Sequence, residues 1–243
     1  KMAALQKKTR QVLELISSCQ AWADMDACMQ ILKCDEMEIL DAVDELKEQG
    51  FIKEQQDSEK VRFFFCHDSI QKFVHTKMSP SKRRVFHRKL AEYIEGLPLY
   101  EANRYERLIY HYTLCGDREK ALEYRIRALT EYSYRYYELY PLFPAGGKKE
   151  VQMDSVLDYC RQLEEELLEL SQRNPQKESY LKLHVSLMQA TAQYCIPQGY
   201  YEEGAQYIEK ALKSNVLAGD DPAEKIRCLR FLIYQQTNLW KVE

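Results

Sequence analysis

The sequence predicts a mainly α-helical chain with one small β-hairpin in its first third. Glycine and proline are scarce, 8 and 7 in 243 residues, while Leu, Glu, Lys and Tyr abound, a balance that favours long helices and short connections. Apolar residues recur at helical spacing through most of the chain. Runs of β character are confined to residues 51–54 and 61–65.

The elements come in this order. Residues 5–19 carry Val12, Leu13, Leu15 and Ile16 at helical spacing, and that helix is read as ending near Gln20-Ala21-Trp22-Ala23. Asp24 then supplies an N-cap for a short helix bearing Met25, Cys28, Met29, Ile31 and Leu32. Asp35 opens a third helix with Ile39, Leu40, Val43 and Leu46 on its apolar side, stopped by Gly50 beyond the C-cap. The two β-like runs flank the polar turn 55–60 and form a hairpin or wing. Helix, helix, helix and wing is the order of a winged-helix subdomain, assigned to residues 1–78. Its third helix argues against DNA. Asp35, Glu36, Glu38, Asp41, Asp44, Glu45 and Glu48 stand there against Lys47 alone, and duplex affinity rests on Lys and Arg neutralising phosphates.

At His67-Asp68 strand gives way to helix, with Ile70, Phe73 and Val74 at helical spacing. Ser79 and Pro80 form a second start signal, an N-cap followed by proline in the first turn. The helix they open is expected to turn Val85, Phe86, Leu90, Tyr93 and Ile94 to one side. Helices then come in pairs. Residues 102–115, with Leu108 and Tyr112, lead through Gly116 into a helix carrying Ala121 and Ala128, where the glycine makes the turn and the small residues allow close packing. Residues 180–195 turn at Gly199 into a helix carrying Gly204 and Ala211, with the same seven-residue spacing of small residues. These are tetratricopeptide-like hairpins, although Ile109 stands where a small residue is usual and Arg125 where an aromatic is. An amphipathic helix over 151–170, a loop over 141–149 and a final helix from Pro222 to about Trp240 complete a helical-repeat domain assigned to residues 79–243. The fold class is therefore mainly α, a winged-helix subdomain with a small β-hairpin followed by a tetratricopeptide-like α-superhelix.

Composition narrows the function classes. The formal charge of −3 invites neither nucleic acid nor an anionic membrane. No run approaches the roughly 20 apolar residues of a membrane span, and the first residues lack the apolar core of a secretory signal, so a cytoplasmic location is expected. The 8 cysteines are scattered, without a CxxC or a Cys/His pair at metal spacing, which reads as reduced core thiols rather than disulfides or zinc ligands. No metal is expected.

The chain reads Phe63-Phe64-Phe65-Cys66-His67-Asp68, and then Ser79-Pro80-Ser81-Lys82-Arg83-Arg84-Val85-Phe86-His87-Arg88-Lys89-Leu90-Ala91-Glu92-Tyr93-Ile94-Glu95. This order resembles the end of the regulatory ATPase module in bacterial STAND-class signal-transduction ATPases, of the maltose-activator and antibiotic-regulator types. The resemblance covers about residues 12–129; the remainder is similar only in being helical and repeat-like. It implies a bacterial regulatory or sensor fragment of a multidomain ATPase or transcriptional regulator. An N-terminal nucleotide-binding domain in the parent would hold ADP or ATP, with His67 contacting the β-phosphate of ADP and Asp68 capping its helix. The repeats would take a protein or small effector, and the winged helix would clamp ADP until that ligand favours an open state.

The chain has no GxxxxGK[ST] loop and no apolar run ending in magnesium-binding carboxylates, so it is expected to be non-enzymatic, with no catalytic residue and no cofactor of its own. The basic cluster Lys82, Arg83, Arg84, Arg88 and Lys89 is either a solvated face or a surface for nucleotide, nucleic acid or an acidic partner. His87 has neither a nucleophile nor an orienting carboxylate at clear spacing and is given no catalytic role. Tyr132, Tyr134, Tyr136, Tyr137 and Tyr140, with Tyr194, Tyr200, Tyr201 and Tyr207, suit either packing within the array or peptide recognition. The alternative functions are a free-standing tetratricopeptide scaffold and a DNA-binding winged helix fused to a sensor.

Overall fold

Side-chain caps set several of the helix starts. A computed structural model describes residues 5–56, 61–98, 103–136, 153–172 and 177–239. Helix α1 (Lys7–Ser18) is followed by a two-residue strand β1 (Ala23–Asp24) and by α2 (Met25–Leu32). The carboxylate of Asp24 accepts the Ala27 N–H at 2.7 Å and so caps α2. In α3 (Glu36–Glu48) Asp35 does the same, accepting the Glu38 N–H at 2.9 Å. Such caps each stabilise a helix by about 1 kcal/mol. Gly50, at φ 75°, closes α3 in the left-handed conformation that glycine adopts without strain, and Phe51 N–H then returns to the Leu46 carbonyl at 2.9 Å.

Strands β2 (Ile52–Gln56) and β3 (Val61–Phe65) pair antiparallel, and β1 adds to the other edge of β3, giving the order β1-β3-β2. The register sets Ile52 opposite Phe65 and Ala23 opposite Phe63. Phe63 and Phe65 are buried and Phe64 half-buried, the alternation of a sheet with one face on a core. Strand β1 corrects the sequence reading, in which Ala23 closes the first helix: two extended residues have no periodicity to read, and only pairing with β3 defines them.

Helices α4 (Asp68–Lys77), α5 (Pro80–Glu95) and α6 (Arg104–Cys115) succeed the sheet, and α7 (Arg118–Tyr136) comes next. Ser79 Oγ accepts the Lys82 N–H at 3.3 Å and Pro80 occupies the first turn of α5. Two expected apolar positions are corrected. Val85 is 49% and Phe73 53% exposed. On α5 the buried stripe runs through Phe86, His87, Leu90, Ala91, Tyr93 and Ile94, and on α4 through Val74, so each outlier sits one position off its stripe.

The chain divides into two compact units, residues 1–121 and 122–243; the expected boundary at 78/79 falls within the first. The first unit centres on Leu13, Leu15, Leu46, Phe63, Leu90, Ile94 and Leu108, each fully buried. Burial of each such side chain contributes about 1.5–3 kcal/mol. The second unit contains α8 (Met153–Ser171), α9 (Glu178–Cys195), a 3₁₀ turn (Ile196–Gln198), α10 (Tyr201–Leu217) and α11 (Pro222–Leu239). Its core includes Leu163, Leu187, Met188, Ile208, Ala211 and Phe231. The expected loop over 141–149, the turn positions 57–60, and Ala102 and Trp240 lie outside the described residues. Among the described residues no helix is long and apolar enough to cross a membrane.

Candidate functional site

His67 stands at the N-cap of α4 with φ −145°, and its side chain makes no capping hydrogen bond. Both His67 and Asp68 are exposed. The capping role that the resemblance implies for Asp68 is corrected: Asp68 is the first helical residue, and a carboxylate there helps the helix through its dipole. The result is a helix N-terminus with an imidazole at its rim. Backbone N–H groups and dipole there favour an anion, while Asp68 occupies part of the same field with a negative charge.

Two residues of the basic cluster on α5, Lys82 and Lys89, are committed to their own unit. Lys82 pairs with Glu14 of α1, whose side chain is nearly buried and is also bound by Arg10 at 3.2 Å. Lys89 donates to the Ile31 carbonyl at 3.0 Å. Arg84 and Arg88 are exposed.

Polar groups converge instead behind α5. His75 Nε2 lies 3.1 Å from His87 Nε2, and His87 Nδ1 lies 2.9 Å from His111 Nδ1. His87 and His111 are each 1% exposed. His87 shares a stripe with Leu90, Ala91 and Ile94, and His111 shares one with Leu108, Tyr112 and Cys115, which is why each ring points inward. Tyr110 meets His87 edge-on at 5.8 Å. Burial, then the His75 and Arg83 charges, push His87 down to about 4; burial, then His87 and Arg107, push His111 down to about 3. The sequence reading of His87, beside Arg83 and Arg84 with no partner of note, misses this line of rings. Its signal is an imidazole at a core position on each of two helices.

Next to it, Trp22 carries the Arg62 guanidinium 4.4 Å and the Arg107 guanidinium 4.6 Å from its ring centre. Asp24 Oδ1 also accepts the Tyr93 hydroxyl at 3.0 Å. Burial, and then the Asp24 carboxylate, raise Tyr93 above the usual phenol range, so it stays a neutral donor.

Most residues expected to pack the repeats face the interior. Leu108, Tyr112 and Ala121 are buried and Ala128 half-buried. Gly116 ends α6 at φ 83°, and Gly199 succeeds the 3₁₀ turn at φ 91°. Gly204 and Ala211 lie on the buried side of α10. Of the tyrosines, Tyr132, Tyr134 and Tyr200 are exposed, Tyr194 is buried, and Tyr201 and Tyr207 are half-buried. Tyr137 and Tyr140 lie outside the described residues.

In the second unit Glu164, His184 and Lys210 meet. Lys210 Nζ is 2.8 Å and His184 Nε2 3.5 Å from Glu164 Oε1, and Ser214 Oγ is 2.9 Å from His184 Nδ1. The residue types are those of a hydrolytic triad, but Ser214 is 9% exposed within α10. Backbone N–H groups inside a helix are spent on the helix, leaving no oxyanion donors beside that hydroxyl. The group ties α8, α9 and α10 together. Burial pushes the thiols of Cys19 and Cys195 up to about 12, which makes them poor nucleophiles. Among the described residues no group of three or more His, Cys, Asp or Glu is placed to hold a metal ion.

No protein family, curated protein or solved structure matches this chain.

Proposed function

We propose that this chain is the regulatory and sensor portion of a larger nucleotide-switch protein, with a winged-helix first part and tetratricopeptide-like hairpins after it. The observation that carries this reading is the exposed His67 at the free N-cap of α4, where a polyphosphate held by another domain would meet an imidazole and unspent backbone N–H groups together. The order α1-β1-α2-α3-β2-β3 supports the winged-helix reading of the segment before His67. The left-handed glycines Gly116 and Gly199, and the small residues Gly204 and Ala211, support the repeat reading of the later helices.

In this account the parent's nucleotide-binding domain supplies the phosphate loop and magnesium chemistry. His67 adds a contact that favours the ADP-bound, closed state, and a protein or small effector on the hairpins shifts the balance toward the open one. The chain itself performs no catalysis. The test is His67→Ala in the intact parent: faster ADP release and raised basal output are expected, and unchanged ADP retention would overturn the role given to His67.

A second reading, a free-standing scaffold, is favoured by the exposed Tyr132, Tyr134 and Tyr200, since tyrosine supplies large contact area at low entropic cost. A parent lacking a phosphate-binding loop would select it.

A further inference from the structure

Three successive helices of the first unit each bring one imidazole into a single line: His75 from α4, His87 from α5 and His111 from α6. Their proton count is constrained. A neutral imidazole has one N–H and one lone pair, so three neutral rings can satisfy both N···N contacts with every hydrogen bond pointing the same way. One added proton on His87 still leaves both contacts made, but as a buried cation. A second added proton anywhere sets two N–H groups against each other across one of the contacts.

The charges facing the three rings oppose even the first proton. Arg83 on α5 acts on His75 and His87, and Arg107 on α6 acts on His111. The remaining groups nearby are the Tyr110 phenol and the Cys19 thiol just after α1, both neutral, and Asp24 at β1, whose Oδ1 already accepts from Tyr93 and Ala27. Among the described residues, the charges that act on the three rings are those of Arg83, Arg107 and the rings themselves, none of them a carboxylate. Of the three helices, α4 is the least anchored: Val74 is its one fully buried residue, and Gln71 adds a hydrogen bond to the Cys19 carbonyl at 2.8 Å.

We propose that the His75–His87–His111 line is an acid-sensitive latch that holds α4 against α5 while neutral and releases it on proton uptake. The latch stands independently of the nucleotide reading. Its sign comes from linkage. An exposed imidazole takes its proton near pH 6.5, whereas in the closed form His87 does so only at about 4. Between those values the open form binds more protons, so opening is favoured progressively as pH falls below about 6.5. From about pH 7.5 to about pH 5.5 His87, the ring that His75 of α4 meets, multiplies the opening constant by about ten.

The test is hydrogen exchange of the full chain near those two pH values, corrected for intrinsic rates, comparing peptides from α4 with peptides from α3. Loss of α4 protection by about tenfold beyond any loss in α3 is expected. Equal losses in both helices, or none in α4, would overturn the latch. The double variant His87→Gln/His111→Gln should keep α4 protection nearly independent of pH over this range, and a full pH response in that variant would also overturn it. Should the variant not fold, imidazole NMR titration of the unmodified chain decides: His87 and His111 titrating near pH 6.5 with α4 still protected rules the latch out, and protonation coincident with α4 opening establishes it.

Discussion

Gly204 sits so close to Ile196 that a Cβ placed on it would fall 2.4 Å from Ile196 Cγ1 and 3.6 Å from Cys195 Cβ. The glycine lets the first turn of α10 approach the end of α9, and Ala211, two turns later, continues the buried face. Alanine would ordinarily stabilise a helix interior relative to glycine by about 1 kcal/mol. Here the added methyl overlaps a branched carbon near the root of its side chain, and overpacking of this kind costs about 1–3 kcal/mol. Gly204→Ala is therefore expected to lower the stability of the second unit in urea. Combining it with Ile196→Ala should cost less than the sum of the two single changes, because the overlapping carbon is gone; strict additivity would show that the contact does not limit packing.

Tyr93→Phe tests the buried polar joint of the first unit. The Tyr93 hydroxyl and the Ala27 N–H share Asp24 Oδ1, while Asp24 Oδ2 is buried without a hydrogen-bond partner among the described residues. Removing the phenol leaves a buried carboxylate with one donor fewer, at a cost of about 1–3 kcal/mol. Asp24→Ala removes the α2 cap as well and should cost about 1 kcal/mol from that source alone. Thermal denaturation of both variants checks the effect; a Tyr93→Phe protein as stable as the parent would mean that water already serves Asp24.

How much of this is legible in the sequence depends on how local each cause is. The Asp24, Asp35 and Ser79 caps are contacts over three residues, and the turn glycines Gly50, Gly116 and Gly199 answer a backbone demand at their own positions. All can be read from spacing. Strand β1 exists through Ala23 and Asp24 pairing with Phe63 and Arg62, and nothing in its own two residues announces it. His87 and His111 lie on stripes that are readable as apolar faces, but the N···N contacts between them join different helices, and no spacing rule records that. Val85 shows the reverse error, an apolar residue beside a stripe that spacing assigns to it. At His67 the sequence places the helix start to within a residue, whereas the share of capping between His67 and Asp68 rests on backbone angles that only the structure supplies.

Glu164 gives a second pH response, of the same sign but at lower pH. The His184 contact first, and then Lys210, hold its carboxyl down to about 2 against partial burial that raises it. A carboxyl lowered below its unfolded value near 4.3 contributes stability that is present above that value and is lost as pH falls toward 2. Because Lys210 is about half exposed, solvent screening limits the contribution of the group to about 1 kcal/mol. Glu164→Gln should therefore weaken protection of α8 to α10 slightly at neutral pH and flatten its decline between about pH 4.3 and about pH 2. Hydrogen exchange in α10 peptides measures both, and an unchanged acid limb would remove Glu164 as its source.

The surface of α3 makes the last prediction, on nucleic acid. In a winged helix the third helix is the one that would enter the major groove, and here it turns Asp35, Glu36, Asp41, Asp44 and Glu48 to solvent. Lys47, its one basic residue, is engaged by Asp44 at 3.3 Å and by Glu54 of β2 at 2.6 Å. Duplex binding draws most of its free energy from cations displacing counterions at phosphates, and this face offers a net negative field instead. No binding to duplex DNA is expected in fluorescence anisotropy even at about 50 mM salt, where non-specific electrostatic affinity is strong. Salt-sensitive binding abolished by substitutions on α3 would overturn the reading that this acidic helix does not engage DNA and restore the DNA-binding alternative.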